Sequence, residues 1–243
     1  MRGFFNPDAP IIQAMSKFSW MLWYSCLWFF CSLPIVTLGA STAALYEMCF
    51  RMHDEGDYNT KNFFIAFKDN FKKGTAVWLL LLLLAIVLVV VYYGVVWVEN
   101  EMIRIVLLAP FCVCFVVWGF LLLYVFPLMG FFENTVKNTL KNAIAMSIKH
   151  LRQSVYCFAL ALLPILALAL SVEWFIRLLY VWVFIYPCVA AYWFSGILKP
   201  VFLLYAPKDE EEVSKLVFYF YHASLFRVFV VLPHNIYVLI LIH

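Results

Sequence analysis

Residues Gly74–Val98 read GTAVWLLLLLLAIVLVVVYYGVVWV, 25 residues without a single Asp, Glu, Lys or Arg. A helix needs about 20 apolar residues to cross about 30 Å of hydrocarbon, so this run is long enough. It lacks the strict alternation of an outer-membrane barrel strand. Lys72 and Lys73 bound it on one side and Glu99 on the other. Four more stretches are uncharged: Phe18–Tyr46, Ile105–Phe132, Gln153–Val172 and Leu178–Leu198, of 29, 28, 20 and 21 residues. Each reaches the same length.

The composition agrees. Of 243 residues, 66% are hydrophobic, 20% aromatic and 13% charged, about half the charge of a soluble domain. A water-soluble fold of this size has no place for so much apolar surface. The expected class is all-α, a polytopic membrane protein with amphipathic cytoplasmic connector helices and the lipid bilayer as its first partner. A net charge of +3 is too small to point to nucleic acid. Asp8, Pro7 and Pro10 precede a first run that is too long and too aromatic for a signal peptide, so no cleavage is expected at Gly39-Ala40-Ser41.

The positive charges set an expected topology, because Lys and Arg near spans stay in the cytoplasm. Arg51, Lys61, Lys68, Lys72 and Lys73 crowd one connector, and Lys137, Lys141, Lys149 and Arg152 a second. The connectors at Glu99–Arg104 and Glu173–Arg177 hold one Arg each. Within the first run, Ser32-Leu33-Pro34 supplies a break, since Pro lacks the N–H and clashes with the preceding turn. If that run crosses twice, fifteen of the 17 Lys and Arg fall inside. The expectation is six spans with a cytoplasmic N-terminus, or five if the first run crosses once. Residues 1–205 form the expected membrane domain. Residues 206–243 add the charge run Pro207–Glu212 and an apolar tail, in which Arg227 and Pro233 favour an interfacial helix over a span.

Both basic connectors are expected to be helical and to lie in the interface. Phe63, Phe67 and Phe71 recur on one face of the first, opposite Lys61, Lys68 and Lys72. In the second, Phe132, Val136, Leu140, Ala143, Ile144, Ser147 and Leu151 oppose Asn134, Lys137, Asn138, Lys141 and Arg152. Lys137, Lys141 and Arg152 are therefore candidate partner-docking residues.

Few polar groups lie within the runs. Pro34, Thr37, Ser41, Thr42 and Glu47 are the candidates for a polar pocket, because a broken helix frees backbone carbonyls where protein or a wet cavity covers them. A tight turn capped by hydroxyls reads the same residues without a pocket. Glu173 and Arg177 stand four apart, a candidate ion pair on the outer face. No metalloprotease, Walker or glycine-rich phosphate motif occurs, so no catalytic residue, metal or cofactor is expected. Cys49 and His53 share a helix face, but two ligands do not make a structural zinc site.

Gly3-Phe4-Phe5-Asn6-Pro7-Asp8, the run Leu33-Pro34-Ile35-Val36-Thr37-Leu38-Gly39-Ala40-Ser41-Thr42 and the run Asn62-Phe63-Phe64-Ile65-Ala66-Phe67-Lys68-Asp69-Asn70-Phe71-Lys72 resemble the YesL-type bacterial membrane proteins. That family is defined by a domain of unknown function. The likeness is specific to about residue 80 and looser to about Leu204. It implies a multi-pass protein of the bacterial cytoplasmic membrane and a place beside carbohydrate uptake systems. It implies no reaction. The functional expectation is a non-catalytic accessory to oligosaccharide uptake, partnered by an import component. The alternative is a stand-alone sugar or small-solute transporter with its site at Pro34–Thr42.

Overall fold

A computed structural model describes residues 10–54 and 59–206. The N-terminal Gly3–Asp8 stretch, the charge run and the apolar tail lie outside the described residues. Those described hold helices and no strand: α1 (Pro10–Ser32), a 3-10 turn (Ile35–Thr37), α2 (Leu38–His53), α3 (Thr60–Val96), α4 (Glu101–Phe131), α5 (Val136–Lys149), α6 (Leu151–Ala161), α7 (Leu163–Leu170), α8 (Val172–Arg177), α9 (Leu179–Phe184) and α10 (Tyr186–Leu203). Packing divides the chain into Met1–Leu198 and Lys199–His243.

Two helices, α3 and α4, are long and apolar enough to cross a membrane, and α6 with α7 makes a third if their 41° bend is one broken span. The expected six spans are not supported. α2 has only 16 residues, short of the roughly 20 a crossing needs. α1 is interrupted by Lys17 and a scatter of serines. The return from α7 is cut into α8 and α9, six residues each.

The first connector is not a separate interfacial helix. It is the lower part of α3, one helix of 37 residues and about 55 Å. Asn59 starts it, its side chain accepting the Asn62 N–H at 2.8 Å. The buried stripe runs Phe63, Ala66, Gly74, Val77, Leu81. Phe71, placed in the stripe by its spacing from Phe63, is exposed instead. The reason is the neighbour: α2 runs antiparallel to α3 and needs small residues where it comes closest.

That approach defines the packing. A Cβ added at Gly39 would lie 2.3 Å from the Gly74 carbonyl oxygen and 2.6 Å from Trp78 Cβ. One added at Gly74 would lie 2.8 Å from both Cα and N of Ala40. Lower on α2, a Cβ at Gly130 of α4 would meet the Ala43 carbonyl oxygen at 2.8 Å and the Glu47 nitrogen at 2.9 Å. α2 is thus held between α3 and α4 by glycines on both sides, and Ala40, Ala43, Ala44, Leu45, Met48, Cys49 and Met52 are buried along it.

Beyond Leu81 the α3–α4 hairpin leaves this core. Its contacts are to itself: the Trp118 indole donates to the Leu81 carbonyl at 3.0 Å, and Tyr92 meets Phe111. Only 11% of the most apolar window of either helix is buried. Leu83, Ile86, Val89, Val90, Val106 and Val113 point outward, a surface that suits hydrocarbon. At the hairpin's end Asn100 caps α4, accepting from the N–H groups of Met102 and Ile103, with Glu101 in the first turn to complement the helix dipole.

The bend between α6 and α7 follows from Pro164, which has no N–H for the Leu160 carbonyl. The Tyr186 hydroxyl donates to that oxygen at 2.7 Å and ties the return strand of helices to the outgoing one.

Gly39→Val and Gly74→Val are expected to destabilise the protein by about 1–3 kcal/mol each, because backbone on the far side gives no rotamer to swing away. Gly94→Ala, with nothing within 4 Å of its Cβ, is the control. Thermal unfolding in mild detergent checks this. Equal melting temperatures for all three variants would contradict the packing.

Candidate functional site

The break at the top of the α1–α2 hairpin gathers four of the five candidate pocket residues, and their polar atoms are engaged within the chain. Pro34 ends α1 with an extended backbone, φ −73° and ψ 106°. Thr37 Oγ1 sits 2.6 Å from the Cys31 carbonyl oxygen and 2.7 Å from that of Pro34. The Thr37 N–H also donates to the Pro34 oxygen, at 2.8 Å. Ser41 is fully buried, 2.6 Å from the Ser32 hydroxyl and 3.0 Å from the Leu38 oxygen. Thr42 donates to the Leu38 oxygen at 2.7 Å and accepts the Trp28 indole N–H at 3.0 Å. The carbonyls of Cys31, Pro34 and Leu38 are thus bonded by hydroxyls three to six residues on, although neither Pro34 nor Thr37 caps the helix that follows it with its side chain.

Glu47 lies more than a turn below them and is not part of that group. It pairs with Arg51 at 2.8 Å, one helical turn on. Burial raises its carboxyl above the usual range, while the hydrogen bond and charge of Arg51 act in the opposite sense.

Below this, the structure brings together residues that the sequence offered only in part. Cys49 and His53 share a face of α2, and that face meets α10. The His53 ring stacks on Tyr192 with centroids 4.1 Å apart. Its Nε2 lies 3.0 Å from the Tyr192 carbonyl oxygen and 3.1 Å from Ser195 Oγ. Ser195 donates to the same carbonyl at 2.8 Å. The contact joins α2 to α10 in either tautomer of the ring. Among the described residues no group of three His, Cys, Asp or Glu is placed to hold a metal. The spacing of Cys49 and His53 marked the face. Nothing local marked Tyr192 and Ser195, about 140 residues later in the chain.

Nearby, the buried Ser25 hydroxyl on α1 accepts the N–H of Cys188 at 3.2 Å. Cys188 stands in the first turn of α10, where helix donors lack a partner in their own helix.

The candidate docking residues sit on α5 and at the head of α6. α5 buries Thr139, Ala143, Met146 and Ser147, and Ser154 of α6 ties this region to α4 through the Tyr124 hydroxyl at 2.8 Å. Lys137, Lys141 and Arg152 face outward. The apolar face expected from the sequence is divided: Ala143 and Ser147 are buried, while Ile144 and Leu151 are exposed together with Ile148. At the junction, burial, and then the charge of Lys149, hold the His150 imidazole below its ordinary value.

Glu173 and Arg177 do pair, within α8. The Arg177 guanidinium also lies 5.2 Å from the Trp174 ring centroid. Both charged side chains are more than half exposed, and a pair so placed contributes little to stability.

Helices long and apolar enough to cross a bilayer, carrying outward-facing apolar side chains, point to the class of helical membrane proteins. Residues 21–92 match the model of a family described as "Protein of unknown function, DUF624". That is 72 residues (21 through 92) of 243, and it takes in about half of α1, all of α2 and most of α3. No curated protein and no solved structure matches.

Ser25→Ala is expected to lower stability by about 1–3 kcal/mol by stranding the buried Cys188 N–H. Ser19→Ala, whose hydroxyl bonds to Met15 on an exposed face, should change it by less than about 0.5 kcal/mol. Denaturant titration of the two variants in detergent compares them.

Proposed function

We propose that this chain is a YesL-type protein of the bacterial cytoplasmic membrane, with its N-terminus and basic connectors in the cytoplasm. Its role is that of a non-catalytic accessory to oligosaccharide uptake. The observation that carries the reading is the mounting of α5. Its inner face is buried through Thr139, Ala143, Met146 and Ser147, while Lys137 and Lys141, one turn apart, face outward. A helix held from behind presents its cations at a fixed spacing, which favours an acidic partner over diffuse attraction. The sugar-uptake context comes from the resemblance in the N-terminal third.

The second reading is a stand-alone transporter with substrate at Pro34–Thr42. It ranks lower because Thr37, Ser41 and Thr42 already have their hydrogen bonds within the hairpin. A substrate would have to displace these bonds at a net cost.

Topology is tested by single cysteines at Asn100 and Asn138, reacted with a membrane-impermeant maleimide. Labelling from opposite faces is expected, with Asn138 on the cytoplasmic one. Reaction of both from the outside would reverse the orientation.

The partner is tested by Lys137→Glu combined with Lys141→Glu. The double variant should insert normally and lose co-purification with the sugar-import component, and salt should weaken the native association in the same direction. Retention of every partner by the double variant at low salt would sink the accessory role and move the transporter ahead.

A further inference from the structure

We infer that the tip of the α1–α2 hairpin, residues 30–36, is seated in the hydrocarbon of one leaflet, on the side of Lys68, Lys72 and Lys73, and does not cross the bilayer. The partner is a lipid surface, reached from one face.

The first argument is one of level. The Gly39–Gly74 contact, with Trp78 beside it, fixes where α2 begins along α3. Gly74 is also the first residue of the uncharged run, directly after Lys72 and Lys73. From Gly74, α3 continues 22 residues to Val96, about 33 Å. That is the hydrocarbon thickness of a bilayer, about 30 Å. The tip therefore stands at one edge of the slab that α3 crosses, and the 3-10 turn above Gly39 adds only three residues. From this tip both arms of the hairpin lead back toward the charged end of α3. Trp23 of α1 donates to the Thr60 hydroxyl at 2.9 Å, and Tyr24 stacks near Phe63.

The second argument is chemical. Phe30, Leu33, Ile35 and Val36 are 63%, 61%, 65% and 48% exposed. They form the end of a hairpin with no charged residue from Phe18 to Tyr46. The patch stands level with Leu79 and Leu80, exposed on the stretch of α3 that holds no charged residue, whereas Phe64, Ile65 and Phe71, exposed lower on α3, lie among its lysines. The same lipid that covers α3 covers the tip.

The third argument is polar closure. Bare irregular backbone is not tolerated in the hydrocarbon interior, so a turn such as this one belongs at the edge of the slab, with several of its polar groups bonded within the chain. Here the Leu33 N–H bonds to the Phe30 oxygen, the Leu38 N–H to the Ile35 oxygen, and Thr37 supplies both its N–H and its hydroxyl to the turn. The cationic and anionic residues of α2, Glu47 and Arg51, lie two turns or more below, paired with one another.

The test uses the full chain in lipid vesicles, with the exposed or half-exposed Cys26, Cys31, Cys112 and Cys114 replaced by Ala and the buried Cys49, Cys157 and Cys188 kept. Val36→Cys carries a bimane fluorophore. Quenching by lipids with a nitroxide near the headgroup is expected to exceed quenching by lipids with a nitroxide at the chain end. An impermeant maleimide added to the face that labels Asn100→Cys should leave Val36→Cys at the level of the parent protein. Labelling of Val36→Cys from that face means the hairpin crosses and overturns the proposal. Absence of quenching by either lipid also overturns it, because water, a second copy or another protein then covers the tip.

Discussion

The backbone of α2 touches the backbone of α3 at Gly39 and Gly74, and the other contacts of the core follow from that approach. Small residues on both helices let the two backbones come into direct van der Waals contact. Gly39, Ala40, Ala43 and Ala44 give α2 one smooth side after another, which Gly74 of α3 and Gly130 of α4 approach from two directions. Larger side chains pack beside these contacts: Phe50 against Phe131 at the foot of α2, Trp78 near Phe126 at its head.

Hydrogen bonds serve a second purpose, closing the places where helices are interrupted. The break before α2 is closed by hydroxyls, the Pro164 bend by Tyr186 and the start of α10 by Ser25. In each case a residue without a suitable backbone donor, or a helix end with orphan groups, finds a partner in another element. Away from water an unclosed group costs several kcal/mol. The closing residues are therefore also cross-links, between α1 and α10 through Ser25 and between α6 and α10 through Tyr186.

Most of the charge lies around this core, while Lys199 of α10 is buried. Lys61, Lys68, Lys72 and Lys73 occupy the lower half of α3, which the α1–α2 hairpin flanks, and Lys137 and Lys141 lie on the outer side of α5. The long apolar hairpin of α3 and α4 points away from them. One end of this pair of helices carries several lysines and the other Glu99, Glu101 and Arg104, an asymmetry of the kind that orients helices in a bilayer.

Much of this was legible from the order of residues. Uncharged runs predicted the class and the two longest helices, because length and apolarity are properties of a single segment. The i, i+4 spacing of Glu173–Arg177 predicted a pair that forms, since a helix alone sets that distance, whereas Glu47, read as a pocket residue, pairs with Arg51 at the same spacing. Pro34 marked the break between α1 and α2. The number of crossings was another matter. An uncharged run of 29 residues allowed one crossing or two, and the run alone does not carry the lengths of α1 and α2 or the place where Gly39 meets Gly74. The same holds for the stripe on α3: periodicity offered Phe63, Phe67 and Phe71, yet the partner helix selected Phe63, Ala66 and Gly74, because a face is buried by what packs on it. His53 with Tyr192 and Ser25 with Cys188 were invisible for the same reason. Local sequence determines what each helix is; where one helix stands against another is decided by contacts between residues far apart in the chain.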